Sequence, residues 1–255
     1  MNIDKIYIIS LKKNRERAND VIKGLNKLGG IFLNYSIFDA VDGSKLTKEE
    51  INNYLSIKAQ YTLKNPNTYD EIRAVGEIGC YLSHYKIWED IILNDYKNCI
   101  IFEDDAFAEE NDITIMNYIN TIPNDYDIAY LGWWTRYSYE YNKKNNNWLF
   151  TDKFTDKLTY NINNINNKDN KFMVLGTYSY ILSNSGAKKL ITKALPIDIQ
   201  VDIFISMYND VNIEFKRYLS KIQLFKAGKS IGNTHNKCDR CNFYQKNIIN
   251  YIEQK

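Results

Sequence analysis

The fold is decided in residues 5–38, which read KIYIISLKKNRERANDVIKGLNKLGGIFLNYSIF. Lys5–Leu11 is an apolar run typical of a buried strand, and Ile31–Phe38 predicts a second strand. Between them, Asn14–Leu28 carries apolar residues at helical spacing and ends at a pair of glycines. A strand, a helix and a strand in so short a stretch predict a right-handed βαβ crossover with two parallel strands. This is how a nucleotide-binding type of sheet begins.

The rest of the chain continues the alternation of helices and strands. Glu77–Leu93 has its apolar residues on one face of a helix, and Cys99–Phe102 is a continuous apolar run, as in a strand covered on both faces. Residues 135–171 are rich in Asn and Lys, which indicates a long loop or an excursion of the chain. Further segments are predicted by the same patterns: a capped helix from Thr47 to Leu55, strands at Asp127–Gly132 and Phe172–Leu182, and helices at Ser185–Leu195 and Asp202–Tyr208. The sequence therefore predicts one α/β domain over residues 1–255.

Charge and hydropathy narrow the class of protein. The 255 residues contain 33 basic and 31 acidic side chains, a net charge of +2, so no charge excess favours nucleic acid or an anionic membrane as a partner. The apolar run at the N-terminus is too short for a signal peptide, and no later segment is long enough for a bilayer span. We therefore expect a soluble cytoplasmic protein that does not bind nucleic acid.

Three consecutive acids, Glu103-Asp104-Asp105, follow the apolar run of residues 99–102. Crowded carboxylates repel one another and raise one another's pKa, so a cation is expected beside them. In open α/β sheets ligands bind beyond the carboxyl ends of the strands, where oxygen ligands suit Mg²⁺ or Mn²⁺ bound to phosphate. The alternative is a solvated acidic turn without a ligand.

Several stretches together resemble glycosyltransferase family 25, the lipooligosaccharide and collagen galactosyltransferases. The opening strand and the Arg-containing helix are similar to those of the family, and six later blocks follow in the family's order. These blocks are FDAVDG (38–43), GEIGCYLSHYKIWEDI (76–91), CIIFEDDA (99–106), DIAYLG (127–132), GTYSYILSNSGAKKLI (176–191) and PIDIQVD (196–202). The resemblance weakens after about residue 220, and the Asn-rich stretch has no counterpart in it.

The resemblance implies a GT-A-like fold that transfers galactose or glucose from a UDP-sugar to a hydroxyl of a glycan or protein, with inversion. It implies Mn²⁺, or Mg²⁺, held by the acids, with Asp105 as the leading ligand. Glu103 or Asp104 would orient the ribose of the donor or a metal-bound water, and Glu103 is a further candidate ligand. Residues 1–134 would form the donor and metal half, and residues 135–255 the acceptor half.

An inverting transfer needs a carboxylate that takes the proton of the acceptor hydroxyl, and Asp202 and Asp198 are the candidates. Each of them could instead cap a helix. Arg15 and Arg17 could bind the nucleotide phosphates, because Arg offers paired donors, although exposed helical arginines are equally common.

Ser83 and His84 lie in the block that resembles the family's donor-binding helix. A packed, hydrogen-bonded histidine is the alternative for His84. Aromatic residues after the strand at 127–132 could stack on an acceptor sugar or pack in the core. These residues are Trp133, Trp134, Tyr137 and Tyr139.

The C-terminal part offers a further metal ligand, His235, with Ser230 and Asn233 as alternatives. Cys238 and Cys241 form a CxxC motif close to His235, so a zinc-binding interaction module is a rival hypothesis. Another rival is a catalytically inactive member of the same fold that binds a glycan or a protein partner. The remaining cysteines, Cys80 and Cys99, are expected to be buried thiols.

Overall fold

The computed structural model describes residues 1–65, 71–135, 174–208, 214–220 and 222–228. Its strands are β1 (Lys5–Ser10), β2 (Tyr35–Asp39), β3 (Asn98–Glu103), β4 (Ala106–Ala108), β5 (Ile128–Thr135), β6 (Val174–Ser183), β7 (Arg217–Leu219) and β8 (Phe225–Ala227). Its α-helices are α1 (Arg15–Leu28), α2 (Lys48–Tyr54), α3 (Ile57–Lys64), α4 (Val75–Leu93), α5 (Asp112–Ile119), α6 (Asn184–Ile191) and α7 (Val201–Met207).

Six strands form one mixed sheet in the order β2-β1-β3-β6-β5-β7. Strand β1 is parallel to both β2 and β3, and β5 is parallel to β7, whereas β6 runs antiparallel to its neighbours β3 and β5. The predicted α/β fold with a mostly parallel central sheet is therefore confirmed, with one reversed strand near its centre. Strands β4 and β8 form a separate two-stranded sheet.

Helices cover both faces of the sheet, because alternate residues of each strand point to opposite sides. On β1, Ile6 and Ile8 pack with α1 and α5, whereas Tyr7 and Ile9 pack with the core beneath α4, α6 and α7. Fully buried aliphatic and aromatic side chains fill the space between the sheet and the helices on each face. The arrangement leaves the carboxyl ends of β1 and β3 at one edge of the sheet.

Helix α4 is packed unusually closely against the segment that follows β2. A methyl group on Gly79 would lie 2.5 Å from the carbonyl oxygen of Val41, and one on Gly43 would lie 1.8 Å from that of Val75. Only glycine permits this approach of two backbones. At the start of the helix, the side chain of Glu77 accepts a hydrogen bond from the amide of Arg73 at 2.7 Å. These contacts fix α4 beside the carboxyl edge.

The predicted element boundaries need correction in three places. Residues 30–33 form a 3₁₀ turn and only Tyr35–Asp39 is a strand, because Gly29 and Gly30 adopt positive φ and turn the chain. The helix predicted to reach Leu195 ends at Ile191. Residues 57–64, for which no element was predicted, form a helix capped by the side chain of Ser56.

Among the residues that the structure describes, no helix combines the length and the apolar character needed to cross a membrane.

Candidate active site

The acidic cluster, Glu103, Asp104 and Asp105, lies at the carboxyl edge of the sheet and not in a solvated turn. Glu103 ends β3, and the two aspartates form the turn into β4. The side chains expose 26%, 12% and 4% of their surface respectively. The backbone is fixed as well, since the amide of Gly228 donates to the carbonyl oxygen of Asp105 at 2.7 Å. The alternative of a freely solvated acidic turn is therefore wrong.

Arg17 is the cation that offsets this crowding in the described residues. Its Nη2 atom lies 2.9 Å from Oδ1 of Asp104 and 3.2 Å from Oδ2 of Asp105. The hydroxyl of Ser10, at the end of β1, also donates to Asp104 at 3.0 Å. Arg15 has a different environment, because it is paired with Asp39 and donates to the carbonyl oxygen of Ser10. Of the two arginines predicted to bind phosphate, Arg17 adjoins the acids.

The carboxylate of Asp105 is buried without being satisfied. The residue is 3% exposed, and neither oxygen accepts a hydrogen bond within the part of the chain that is described. Burial and the charge of Glu103 together raise the pKa of Asp105 to about 7, against the opposing effect of Arg17. A buried carboxylate that accepts no hydrogen bond is costly, and its oxygens are available to a ligand. A divalent cation that prefers oxygen, such as Mg²⁺ or Mn²⁺, fits this donor set.

Glu103 is supported from the opposite side by helix α4 and strand β6. Thr177 donates to its Oε1 atom at 2.5 Å, and Nε2 of His84 lies 3.4 Å from the same oxygen. Burial raises the pKa of Glu103, but its hydrogen bonds with His84 and Thr177 outweigh that effect, so the pKa is lowered overall. Glu103 therefore remains ionised while Asp105 beside it is readily protonated. Glu103 can therefore supply a negative charge at all times, whereas Asp105 supplies one only when a bound cation favours its ionised form.

His84 is fully buried, and its ring is fixed from behind. Its Nδ1 atom lies 2.9 Å from the hydroxyl of Tyr180, which also accepts a hydrogen bond from the indole of Trp88 at 3.3 Å. His84 is therefore a packed, hydrogen-bonded histidine, as the alternative predicted, and its Nε2 atom also faces the acidic cluster. Its predicted role in the donor site stays a prediction.

The two candidate bases are placed differently. Asp202 lies in the first turn of α7 and accepts a hydrogen bond from the amide of Gly176 at 3.3 Å. Burial raises the pKa of Asp202, and the negative charge of Glu103 acts in the same direction. Asp198 is exposed and accepts a hydrogen bond from Ser56. Neither of them caps α7, whose N-cap is Gln200.

Ser83 lies inside the contact between α4 and the segment after β2. It is fully buried, donates to the carbonyl oxygen of Gly79 at 2.6 Å and accepts from the amide of Val41 at 2.9 Å. The bond with Val41 holds α4 against this segment and the bond with Gly79 lies within the helix, so the described contacts of Ser83 are structural.

Other predicted residues lie outside the described part of the chain. They are His235, Ser230, Asn233, Cys238, Cys241, Tyr137 and Tyr139, together with the side chain of Trp134. Trp133 is half-buried and donates from its indole nitrogen to the carbonyl oxygen of Ser220 at 3.0 Å. It also packs against the core, as the alternative reading expected.

Sequence reasoning missed three residues that contact the acids or their supports: Ser10, Thr177 and Tyr180. Thr177 and Tyr180 lie in the block that resembles the family, but their contacts depend on the antiparallel pairing of β6 with β3, in which Phe102 pairs with Ser179. The only local signal for Ser10 was its position as a polar residue at the end of an apolar strand. Cys80, expected to be buried, is only half-buried, whereas Cys99 is fully buried.

Comparison with known proteins identifies the family of this chain. The model of glycosyltransferase family 25 (LPS biosynthesis protein) matches residues 3–205. Human procollagen galactosyltransferase 2 is 27% identical over 228 residues, 86% of this chain and 32% of that protein. A glycosyltransferase 25 family member of Drosophila melanogaster is 28% identical over 217 residues, 82% of this chain and 31% of that protein.

A third relative, from Rattus norvegicus, is named a probable inactive glycosyltransferase 25 family member 3 and is 29% identical over 136 residues, 52% of this chain and 23% of that protein. The matched region spans about a third or less of the length of these curated relatives. The family model, by contrast, covers most of this chain and includes β1, α4 and the acidic cluster. The chain therefore belongs to glycosyltransferase family 25.

Proposed function

We propose that this chain transfers a hexose, galactose or glucose, from a UDP-sugar to a hydroxyl group of a glycan or protein acceptor, with inversion at the anomeric carbon. The observation that supports this most strongly is the buried carboxylate of Asp105, whose oxygens lack hydrogen bonds at the carboxyl edge of the sheet. Ligands of open α/β sheets bind at that edge. Membership of a glycosyltransferase family supplies the reaction class.

Asp105 and Glu103 would hold Mn²⁺ or Mg²⁺ in this proposal. When bound, the ion neutralises the diphosphate and stabilises the departing UDP as a Lewis acid. Asp104 is bound by Ser10 and Arg17, so it is better placed to orient Arg17 than to bind the ion alone. His84 and Thr177 keep Glu103 ionised and oriented.

Arg17 has a second role in this proposal. In the described structure its guanidinium is paired with Asp104 and Asp105. A cation bound to Asp105 would reduce the attraction of that carboxylate for Arg17. The guanidinium could then donate to the diphosphate of the donor, for which its geometry is suited.

Asp202 is the proposed general base, with Asp198 as the second candidate. Burial raises the pKa of Asp202 above that of an ordinary aspartate, which makes it a stronger base towards an acceptor hydroxyl. Asp198 is exposed and engaged with Ser56. The proton would move from the acceptor oxygen to the carboxylate of Asp202 as that oxygen attacks the sugar.

The test has two steps. Thermal unfolding is first measured with UDP, with Mn²⁺ and with both, and we expect the largest stabilisation when both are present. UDP release is then measured with UDP-galactose and with UDP-glucose as donors, in the presence and absence of Mn²⁺. A folded preparation that shows no cation-dependent binding of UDP would contradict the proposal.

A second candidate function is binding without turnover, since one relative is named a probable inactive member of the family. Such a protein would be stabilised by UDP and Mn²⁺ but would release no UDP from any donor, even with candidate acceptors present. The two assays together therefore separate the transferase from the binding protein.

A further inference from the structure

Cys80, His84 and Glu103 form a compact group beside the acidic cluster. Cys80 and His84 are four residues apart on α4, so their side chains lie on the same face of the helix. The sulfur of Cys80, an imidazole nitrogen of His84 and a carboxylate oxygen of Glu103 all lie within 4.8 Å of one another. One thiol, one imidazole and one carboxylate are a donor set that zinc proteins commonly use.

The spacing of these atoms is close to that of a metal site. Zinc bonds of about 2.0–2.3 Å in a tetrahedron place neighbouring ligand atoms about 3.3–3.8 Å apart. Nε2 of His84 and Oε1 of Glu103 already lie 3.4 Å apart. Cys80 is half-buried, so its sulfur can approach by the remaining distance of about 1 Å through rotation of its side chain.

The hydrogen bonds behind His84 resemble the support of a metal-binding histidine. Metal-bound imidazoles usually donate from the second ring nitrogen to a neighbouring acceptor. Nδ1 of His84 lies 2.9 Å from the hydroxyl of Tyr180. Metal binding would select the tautomer that donates from Nδ1 to Tyr180, in which the lone pair of Nε2 replaces the hydrogen bond to Glu103 and faces the metal. The ring is fully buried, which fixes its orientation.

The charge around the thiol also favours a cation. Burial raises the pKa of Cys80 well above its usual range, and the negative charges of Glu103, Asp202 and Asp105 raise it further. The free thiol is therefore protonated and a weak nucleophile. The same carboxylates create a negative potential at the sulfur, and a divalent cation is the ligand that this potential attracts.

We propose that Cys80, His84 and Glu103 bind a thiophilic divalent cation of the Zn²⁺ class, at a site that shares only Glu103 with the proposed oxygen-ligand site of Asp105. On binding, a metal–sulfur bond forms and the thiol proton is released to solvent. The three side chains leave one coordination position for water. Sulfur and nitrogen donors select against Mn²⁺ and Mg²⁺, so the two sites discriminate between cations by ligand chemistry.

Occupation of this site has a consequence for donor binding, which rests on the function proposed above. Glu103 would be a ligand in both sites, so a Zn²⁺ ion held by Cys80 and His84 withdraws it from the Mn²⁺ site. Zn²⁺ is then an inhibitor of Mn²⁺-dependent UDP binding.

Cobalt spectroscopy tests the site independently of transferase activity. We titrate the full chain with Co²⁺ and record its absorption. A thiolate-bound, four-coordinate Co²⁺ gives a near-ultraviolet charge-transfer band and intense visible bands, whereas Co²⁺ bound by carboxylates alone gives neither. We expect both sets of bands in the wild-type chain. A wild-type chain without the charge-transfer band overturns the proposal.

Variants identify the thiol. The band should persist in a Cys99→Ala/Cys238→Ser/Cys241→Ser variant, in which Cys80 is the only cysteine, and disappear in Cys80→Ser. A band that survives in Cys80→Ser, or that is lost from the variant whose only cysteine is Cys80, assigns the metal elsewhere and overturns the proposal. Circular dichroism checks the fold of each variant. His84→Gln gives a second test that retains all thiols, and it should weaken Co²⁺ binding by more than about tenfold.

A competition experiment distinguishes failure of the zinc-type site from failure of the proposed function, on which the inhibitory effect rests. The stabilisation by UDP and Mn²⁺ is measured as Zn²⁺ is added to the wild-type and Cys80→Ser chains. Zn²⁺ should reduce it in the wild-type chain at concentrations more than about tenfold below those needed in Cys80→Ser. Equal sensitivity of the two chains overturns the inhibitory consequence. If UDP and Mn²⁺ do not bind at all, the proposed function fails, and the cobalt spectra still decide the zinc-type site.

Discussion

Asp105 and Asp127 are both buried aspartates at ends of strands in the main sheet, but their surroundings differ. Asp127 is 1% exposed, and both its oxygens accept hydrogen bonds from Lys189, at 2.8 and 2.7 Å. The hydroxyl of Ser185 and the amide of Lys216 also donate to it, at 3.1 and 2.8 Å. Asp105 is 3% exposed and accepts no hydrogen bond from the described residues.

This difference distinguishes a carboxylate whose partners all belong to the protein from the one to which the proposed function assigns a cation. Asp127 joins α6 to the strand β5 and the chain before β7, and every donor it needs belongs to the protein. Within the described ranges, the carboxylate of Asp105 has only the ion pair with Arg17, at 3.2 Å. A buried carboxylate normally recovers its lost hydration through hydrogen bonds or a cation. The comparison can be tested by removing each charge in turn.

The largest expected effect is on turnover in Asp105→Asn. The substitution keeps the size of the side chain but removes the charge that would bind the cation, so UDP release should fall by about 10³-fold or more. The metal-free variant should be as stable as the wild-type chain at pH 8, or up to about 2 kcal/mol more stable, because a buried and poorly compensated charge has been removed. UDP release and urea unfolding measure the two effects.

The matched change, Asp127→Asn, should have the opposite pattern. It leaves the ammonium group of Lys189 without its partner in a largely buried place, and the free energy of unfolding should fall by about 2–4 kcal/mol. UDP binding per folded molecule should be retained, since Asp127 lies at the other end of β5 and β6. If both variants lost stability equally, the distinction between the two aspartates would be wrong.

The sheet and the acidic cluster could be predicted from the sequence because the signals for them are local. The apolar runs of β1 and β3 and the amphipathic face of α4 are local patterns, and each is fixed by burial within one element. The contacts of Arg17 with Asp104 and of Thr177 with Glu103 join residues 87 and 74 positions apart in the sequence. They depend on how α1 and β6 pack beside β3, which no local pattern specifies.

The same limit explains the errors in the predicted elements. Residues 31–34 have strand-like composition, but the positive φ angles of Gly29 and Gly30 direct Phe32 into the core as a turn. The resemblance suggested a donor-site role for both Ser83 and His84, but the structure directs His84 towards Glu103, whereas Ser83 beside it points into the contact with Val41. Adjacent residues of a helix face different neighbours, so a motif cannot assign both to one site.

The pH dependence of stability gives an intermediate effect. Burial raises the pKa of Asp105 to about 7, so between pH of about 4 and about 7 the folded chain binds more protons here than the unfolded chain. The contribution of this group to stability must then fall as pH rises through that window, by about 1–3 kcal/mol. Urea unfolding of the wild-type chain and Asp105→Asn across this range, without divalent cations, measures it as the difference between the two curves.

Mn²⁺ should reverse this trend, because it binds the ionised carboxylate. Its stabilising effect on the wild-type chain should grow from pH 5 to pH 7.5 and should be small throughout in Asp105→Asn. Parallel curves for the two chains without the cation would show that Asp105 does not titrate as its burial requires.

The smallest expected effect concerns the two arginines after β1. Arg17→Gln removes the partner of Asp104 and Asp105, whereas Arg15→Gln removes the partner of Asp39, outside the acidic cluster. If Arg17 binds the diphosphate when a cation replaces it at Asp105, Arg17→Gln should raise the KM for the UDP-sugar by about tenfold, as loss of one charge-assisted contact would. Arg15→Gln is the matched control and should change the KM far less. Initial rates at saturating Mn²⁺ measure both. An equal increase in the two variants would mean that the effect arises from general loss of positive charge, and the pairing of Arg17 with the acids would then be structural, like that of Lys189 with Asp127.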